Sequence, residues 1–284
     1  MVATRSPSQA KGEELVRDLE LPIDPFAIAK GEGIEVVAKR VRGASGMFIR
    51  VGDNYVIAYA TDIDNVGLQR FSVAHELGHY FLPGHGDHVL DANQVHKSVA
   101  QFRSKEPYEI EADQFAVGLL MPTMQFRSAL GKMGEGFVAV EELASLCNTS
   151  LVATTIRVVT LSPTPMAAVV SGQDEVEYCV MSESFKNLKG LTWLEKRVPL
   201  PKRTATYDFV ADPSRILRAE RAQDTTHLHE WFGTGPDVTL VEEVVGLGRY
   251  GKVLTVLSLE DDVDVDELDE DEGLEESWTP RFKR

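Results

Sequence analysis

The stretch Arg70–His85, RFSVAHELGHYFLPGH, decides how the chain is read. His75 and His79 stand four residues apart, with Glu76 directly after the first. On a helix, positions i and i+4 lie roughly 40° apart around the axis, so both imidazoles face one point while Glu76 sits on the neighbouring flank. The pattern suits a zinc ion held by two neutral imidazoles. Glu76 is then the catalytic base, placed to take a proton from a water that the metal acidifies towards a pKa of about 7. The plain alternative is an amphipathic helix whose histidines are satisfied by hydrogen bonds. Phe71, Val73, Ala74 and Leu77 supply the apolar packing of a buried helix, and Gly78 leaves room for another backbone to come close.

A metal site of this kind needs a third protein ligand. Helical patterning runs from about Asn65 to Phe81, stops at Pro83-Gly84, and returns from about Pro107 to Leu120 in EPYEIEADQFAVGLLMP. Glu109 and Asp113 share one face of that second helix. Glu109 is the expected third ligand, with Glu111 as its rival, and Asp113 is placed to orient a ligating histidine through its outer N–H. Tyr55, Tyr80, Tyr108, His85 and His88 are candidates for stabilising an oxyanion. His96 reads as an exposed loop residue, and His227 and His229 as surface histidines.

Before this core, IEVVAKRV and SGMFIRVGDNYVIAYA alternate like strands, the second broken into a hairpin at Gly52-Asp53-Asn54. The strand Tyr55–Ala60 reads either as a sheet edge that holds an extended peptide or simply as a half-buried strand. After it, a third helical region from Pro122 to Leu161 includes EELASLCNTSLVATTIRVVTL, which is patterned like a helix-turn-helix. Its second helix offers only Arg157 to a phosphate backbone, so a structural role is expected. Beyond Pro163 and Pro165 the pattern changes to strands. The expected organisation is a flexible N-terminus over 1–12, a metal-binding domain over 13–130, a helix-turn-helix-like segment over 131–162, a C-terminal sensor or docking domain over 163–258, and a tail over 259–284. Arg215 and Arg218, in a basic cluster with Lys202, Arg203 and Arg221, are candidates for binding a nucleic-acid or small-molecule signal, against a bland reading as surface charge.

The net charge of −16 is unevenly spread: 12 of the 45 acidic residues fall in EDDVDVDELDEDEGLEE, Glu260–Glu276. Without them 33 acidic residues face 29 basic ones, a net of −4, so the acidity belongs mostly to a tail that is expected to be disordered. Cys147 and Cys179 are too few and too far apart for a disulfide framework or a thiolate zinc ribbon. No apolar run reaches membrane-spanning length and no secretion signal is apparent, so a cytoplasmic protein is expected.

RFSVAHELGHYFLPGH, followed some thirty residues later by EIEADQFAVGLLMP, resembles the ImmA/IrrE family of zinc metallopeptidases. The resemblance covers roughly residues 14–160. It implies a reduced zincin-like peptidase fold: a small sheet, an active-site helix and a glutamate ligand on the following helix. With the helix-turn-helix-like segment and the strand-patterned region beyond residue 163 read above, the chain is expected to be α+β, its C-terminal domain mostly β or α/β. The resemblance also implies His75, His79 and Glu109 as ligands of Zn2+ (Mn2+ being the other ion to consider) and Glu76 as the base. The activity implied is limited proteolysis of a helix-turn-helix transcriptional repressor, which switches on stress, DNA-damage or phage-defence genes, with single-stranded nucleic acid or a small molecule as activator. The alternative is a non-catalytic, zinc-containing regulator that binds a repressor or nucleic acid. The sequence leaves the oligomeric state open.

Overall fold

A computed structural model describes residues 5–40, 43–98, 104–134 and 136–259, so the acidic run from residue 260 lies outside the described residues. The chain divides into two compact units, Met1–Leu161 and Ser162–Arg284.

The first unit opens with α1 (Pro7–Leu15) and α2 (Pro25–Gly31), followed by β1 (Glu35–Lys39), β2 (Gly46–Val51) and β3 (Asn54–Ala60). Then come α3 (Val66–Phe81), the short α4 (His85–Val89), β4 (Val95–Ser98), α5 (Pro107–Leu120), α6 (Thr123–Leu130), α7 (Gly136–Cys147) and α8 (Leu151–Leu161). The expected loose stretch through residue 12 does not hold for α1. Ser6 caps this helix, Pro7 occupies its first turn, and Ser8, Gly12 and Glu13 are buried.

The sheet runs in the order β1-β3-β2-β4, with β1 parallel to β3 and the other pairs antiparallel. The hairpin turns at Gly52-Asp53, where Gly52 takes a positive φ of 61° and Val51 pairs with Asn54. One expectation is overturned here. Tyr55–Ala60 is not a sheet edge, because β1 lies along one side of β3 and β2 along the other; the edges are β1 and β4. A parallel neighbour separated by a hairpin leaves no local signal in the sequence.

Helix α3 begins where the Asn65 side chain accepts from the Leu68 N–H at 2.9 Å. It ends before Pro83, with Leu82 extended as the residue preceding a proline must be. Val73, Ala74 and Leu77 of α3 are fully buried, as are Phe48 and Ile57 of the sheet and Phe115, Ala116 and Leu119 of α5. Gly78 sets the spacing of the two long helices: a Cβ there would lie 3.0 Å from the Ala112 Cα. A larger residue would push α5, with Glu109 and Asp113, away from α3.

Helices α7 and α8 bend by 113° about a turn in which Asn148 takes a φ of 52°, a helix-turn-helix angle. Arg157, the one base available on α8, is buried. It donates to the Met121 carbonyl at 3.0 Å, to the Thr123 hydroxyl at 2.8 Å and to Glu13 at 3.2 Å. Its charge locks α8 to α1 and α6. Among the described residues no single helix is long and apolar enough to cross a membrane.

The second unit contains β5 (Met166–Gly172), β6 (Glu175–Met181), α9 (Glu183–Lys186), α10 (Ala205–Val210), α11 (Pro213–Leu217), β7 (Arg221–His227), α12 (Leu228–Phe232), β8 (Thr239–Gly246) and β9 (Lys252–Leu259). Its strands form an antiparallel sheet in the order β6-β5-β9-β8-β7. Phe185, Leu228, Trp231 and Phe232 pack with Val169, Leu240 and Leu257 of the strands. Glu242 of β8 is buried and accepts from the Ala205 and Thr206 N–H groups at 3.2 and 2.7 Å, capping α10. Burial pushes its carboxyl pKa up. Strand β7 was not foreseen, because RAQDTTH is polar and its burial pattern is mostly exposed.

Candidate metal centre

His75 and His79 project from the buried middle of α3, and Glu109 from the first turn of α5. The two Nε2 atoms are 3.1 Å apart, and they approach Glu109 carboxylate oxygens at 3.5 Å (His75) and 3.2 Å (His79). Ligands of a tetrahedral zinc at bond lengths of about 2.0 Å stand roughly 3.3 Å from one another, so these separations fit such an ion. Nitrogen-rich donors of this kind favour zinc over manganese. His96 joins them: the donor atoms of His75, His79, His96 and Glu109 all lie within 4.8 Å of one another. Its Nε2 is 2.9 Å from Glu109 Oε1. Both atoms are buried and neither has a hydrogen-bond partner, which is the condition expected of atoms that share an ion.

Each α3 histidine has its outer nitrogen engaged. His75 Nδ1 lies 2.8 Å from Asp113 Oδ1. His79 Nδ1 lies 3.1 Å from His85 Nδ1, and His85 Nε2 lies 3.0 Å from Glu111 Oε2. With both α3 Nε2 atoms turned to the centre, His79 donates to His85 and His85 donates to Glu111, which specifies both tautomers. Glu111, the rival ligand, thus stands at the outer end of a relay rather than at the centre. Burial opposes charge on His75, yet hydrogen bonds to Asp113 and Glu109 hold its pKa up at about 10. Burial dominates at His79 and takes it down to about 4. Glu109 resists the upward push of burial because three imidazoles surround it, and its pKa falls well below the carboxylate range.

Glu76 is completely buried, and burial raises its pKa. Its Oε1 accepts from the Ser98 hydroxyl, while Oε2 is buried without a partner. Gly46 on β2 makes space for this carboxylate, since a Cβ there would overlap Glu76 Oε1.

The remaining sequence candidates are engaged elsewhere. The Tyr55 ring stacks on Phe48 at 5.1 Å and meets Tyr80 edge-on at 5.4 Å. The Tyr80 hydroxyl lies 3.5 Å from Glu32. Tyr108 stacks on His88 at 3.9 Å and meets His85 at 4.9 Å. Tyr55 and Tyr80 do line a cleft with Phe48, His79, Pro83 and Asp87. Arg215 and Arg218 both reach Glu220, at 3.3 and 2.7 Å, and the Arg215 guanidinium lies 4.3 Å over the Phe209 ring.

His96 is the residue that the sequence reading passed over. It sits on the four-residue strand β4, where alternation turns His96 and Ser98 to the same face. The period-two pattern V-H-K-S after the Asp91–Gln94 turn was the available signal.

Residues 29–158 match the family model Peptidase_M78, described as an IrrE N-terminal-like domain. No curated protein matches the chain. Among solved structures, a Mycobacterium tuberculosis transcriptional regulator is similar with a TM-score of 0.55 and 14% identity, over 92% of this chain and 82% of that one. At that identity the likeness shows the fold. The segment that matches the IrrE N-terminal-like model spans α3, β4 and α5 and their clustered donors.

Proposed function

We propose that the chain is a metal-dependent endopeptidase that cleaves a helix-turn-helix transcriptional repressor. The observation that carries this reading is the fully buried Glu76 carboxylate beside a His75, His79 and Glu109 donor set. A purely structural centre has no use for a costly buried carboxylate at that position. Asp113 and His85 orient the ligand histidines, and Glu109 supplies the negative charge that complements a cation. When bound, zinc supplies Lewis acidity for water and for a peptide carbonyl. Glu76, with its pKa raised, accepts the proton of the attacking water and delivers it to the leaving amine. Phe48, Tyr55 and Tyr80 line a cleft next to His79.

The proposed substrate class rests on the family and on the regulator among its structural relatives. A role for single-stranded nucleic acid or a small molecule as activator belongs to the same reading. The engagement of Arg215 and Arg218 with Glu220 favours ordinary surface charge there. The test is intact-mass analysis of a helix-turn-helix protein encoded beside this gene, after incubation with zinc-loaded wild type and Glu76→Gln. A defined cut by wild type alone supports the reading. Equal effects of both proteins on repression, without a cut, favour the non-catalytic regulator.

A further inference from the structure

We propose that His96 is a fourth protein ligand of the metal, so that this chain holds its ion in a closed His3Glu set latched by the edge strand β4. The observation is a pair of buried atoms, His96 Nε2 and Glu109 Oε1, that stand 2.9 Å apart without hydrogen-bonding to each other. An N–H aimed at a carboxylate over that distance would satisfy both atoms. Two donor atoms this close, out of water and without hydrogen-bond geometry between them, meet the condition that a shared cation requires. Glu109 Oε1 also lies 3.2 Å from His79 Nε2, so three of the donor atoms already meet at one place.

Polarising a substrate carbonyl is the competing role for His96, and the spacing argues against it. A gap of 2.9 Å between His96 and Glu109 leaves no room for a substrate oxygen between them.

The consequence is latency, and this part rests on the peptidase reading. Catalytic zinc sites keep one position open, whereas four protein donors close it. Strand β4 has four residues and, among the described residues, is paired on one side only, to Gly46–Ile49 of β2. It carries two of the site's attachments: His96 at the donor set, and Ser98 on the Glu76 carboxylate. Displacing β4 therefore frees the fourth position and one oxygen of Glu76 together. An extended substrate segment competing for the edge of β2 would open the site it needs.

X-ray absorption at the zinc edge, on the full chain, tests the assignment. Wild type and Glu76→Gln should show three imidazoles and one carboxylate oxygen without water. His96→Ala should show two imidazoles plus solvent oxygen, and should bind zinc more weakly by at least the roughly 10- to 100-fold that outer-sphere losses cost. Two imidazoles and water in wild type would overturn the proposal, and because that count needs no variant, a His96→Ala protein that fails to fold does not blunt the test. A three-imidazole centre with no peptide bond cut in any substrate would sink the peptidase reading and leave His96 as a ligand. Cleavage by a two-imidazole centre would do the reverse.

Discussion

At the scale of single residues, the centre depends on small spaces and on second partners. Gly46 leaves room for the Glu76 carboxylate, and its would-be Cβ also meets Ser98 Oγ at 3.1 Å. Gly46→Ala should therefore displace the base while sparing the fold. The expected loss is on the order of 100-fold in cleavage rate, because misplacement by about 1 Å costs that much. An unchanged rate at an unchanged melting temperature would show that Glu76 is not positioned as described. His85 is a partner of the same kind on the metal side, joining His79 to Glu111. His85→Ala should weaken zinc binding by roughly 10- to 100-fold, measured by competition with a chelating dye, and His85→Gln should recover part of it. Helical period placed His75 and His79 on one face of α3 and Glu109 and Asp113 on one face of α5, and the structure brings those four side chains together. His85 and His96 were not legible in their roles, since one acts across a turn and the other across a sheet.

At the scale of elements, α1 and α8 are fastened by Glu13 and Arg157. Both are buried, at 7% and 5% side-chain exposure. Removing one partner leaves an uncompensated buried charge, so Glu13→Ala should cost about 3–5 kcal/mol in chemical denaturation. The pH dependence has a definite sign. Burial opposes ionisation of Glu13, but hydrogen bonds from Thr123, Gln9 and Arg5 and the Arg157 charge outweigh it and lower its pKa in the folded chain. The stability it contributes is therefore complete above the ordinary value of 4.5 and is lost as pH falls through the lower folded value. The gap between wild type and Glu13→Ala should narrow in acid below pH 4.5; a gap that widened there would contradict this pairing. The helix-turn-helix pattern was readable from sequence, whereas the burial of Arg157 against Glu13 and Thr123 was not. Its burial depends on α1 and α6, which lie far from α8 in sequence.

At the scale of the molecule, each of the two units carries a core of its own, with Phe48, Ile57, Leu77 and Phe115 in the first and Phe185, Trp231, Phe232 and Leu240 in the second. All the donors of the metal centre belong to the first unit. Residues 5–161 expressed alone should therefore fold and bind zinc as tightly as the full chain, read by calorimetric titration. A fragment that folds yet loses zinc would show that the centre needs the second unit. The change of pattern at Pro163 and Pro165 marked this division in the sequence, whereas the order of strands in either sheet did not. Strand order is set by which edges find partners, and a parallel neighbour such as β1 or a polar one such as β7 carries no local mark of its place.

In the proposed centre His75, His79 and Glu109 hold a divalent metal beside a base, Glu76, that is not itself a ligand. Zinc content, measured by elemental mass spectrometry on wild type, Glu76→Gln and Glu109→Gln purified side by side, tests this arrangement most directly. Equimolar zinc is expected in wild type and Glu76→Gln, and a large loss in Glu109→Gln. Zinc retained by Glu109→Gln, or lost from a folded Glu76→Gln, would contradict it.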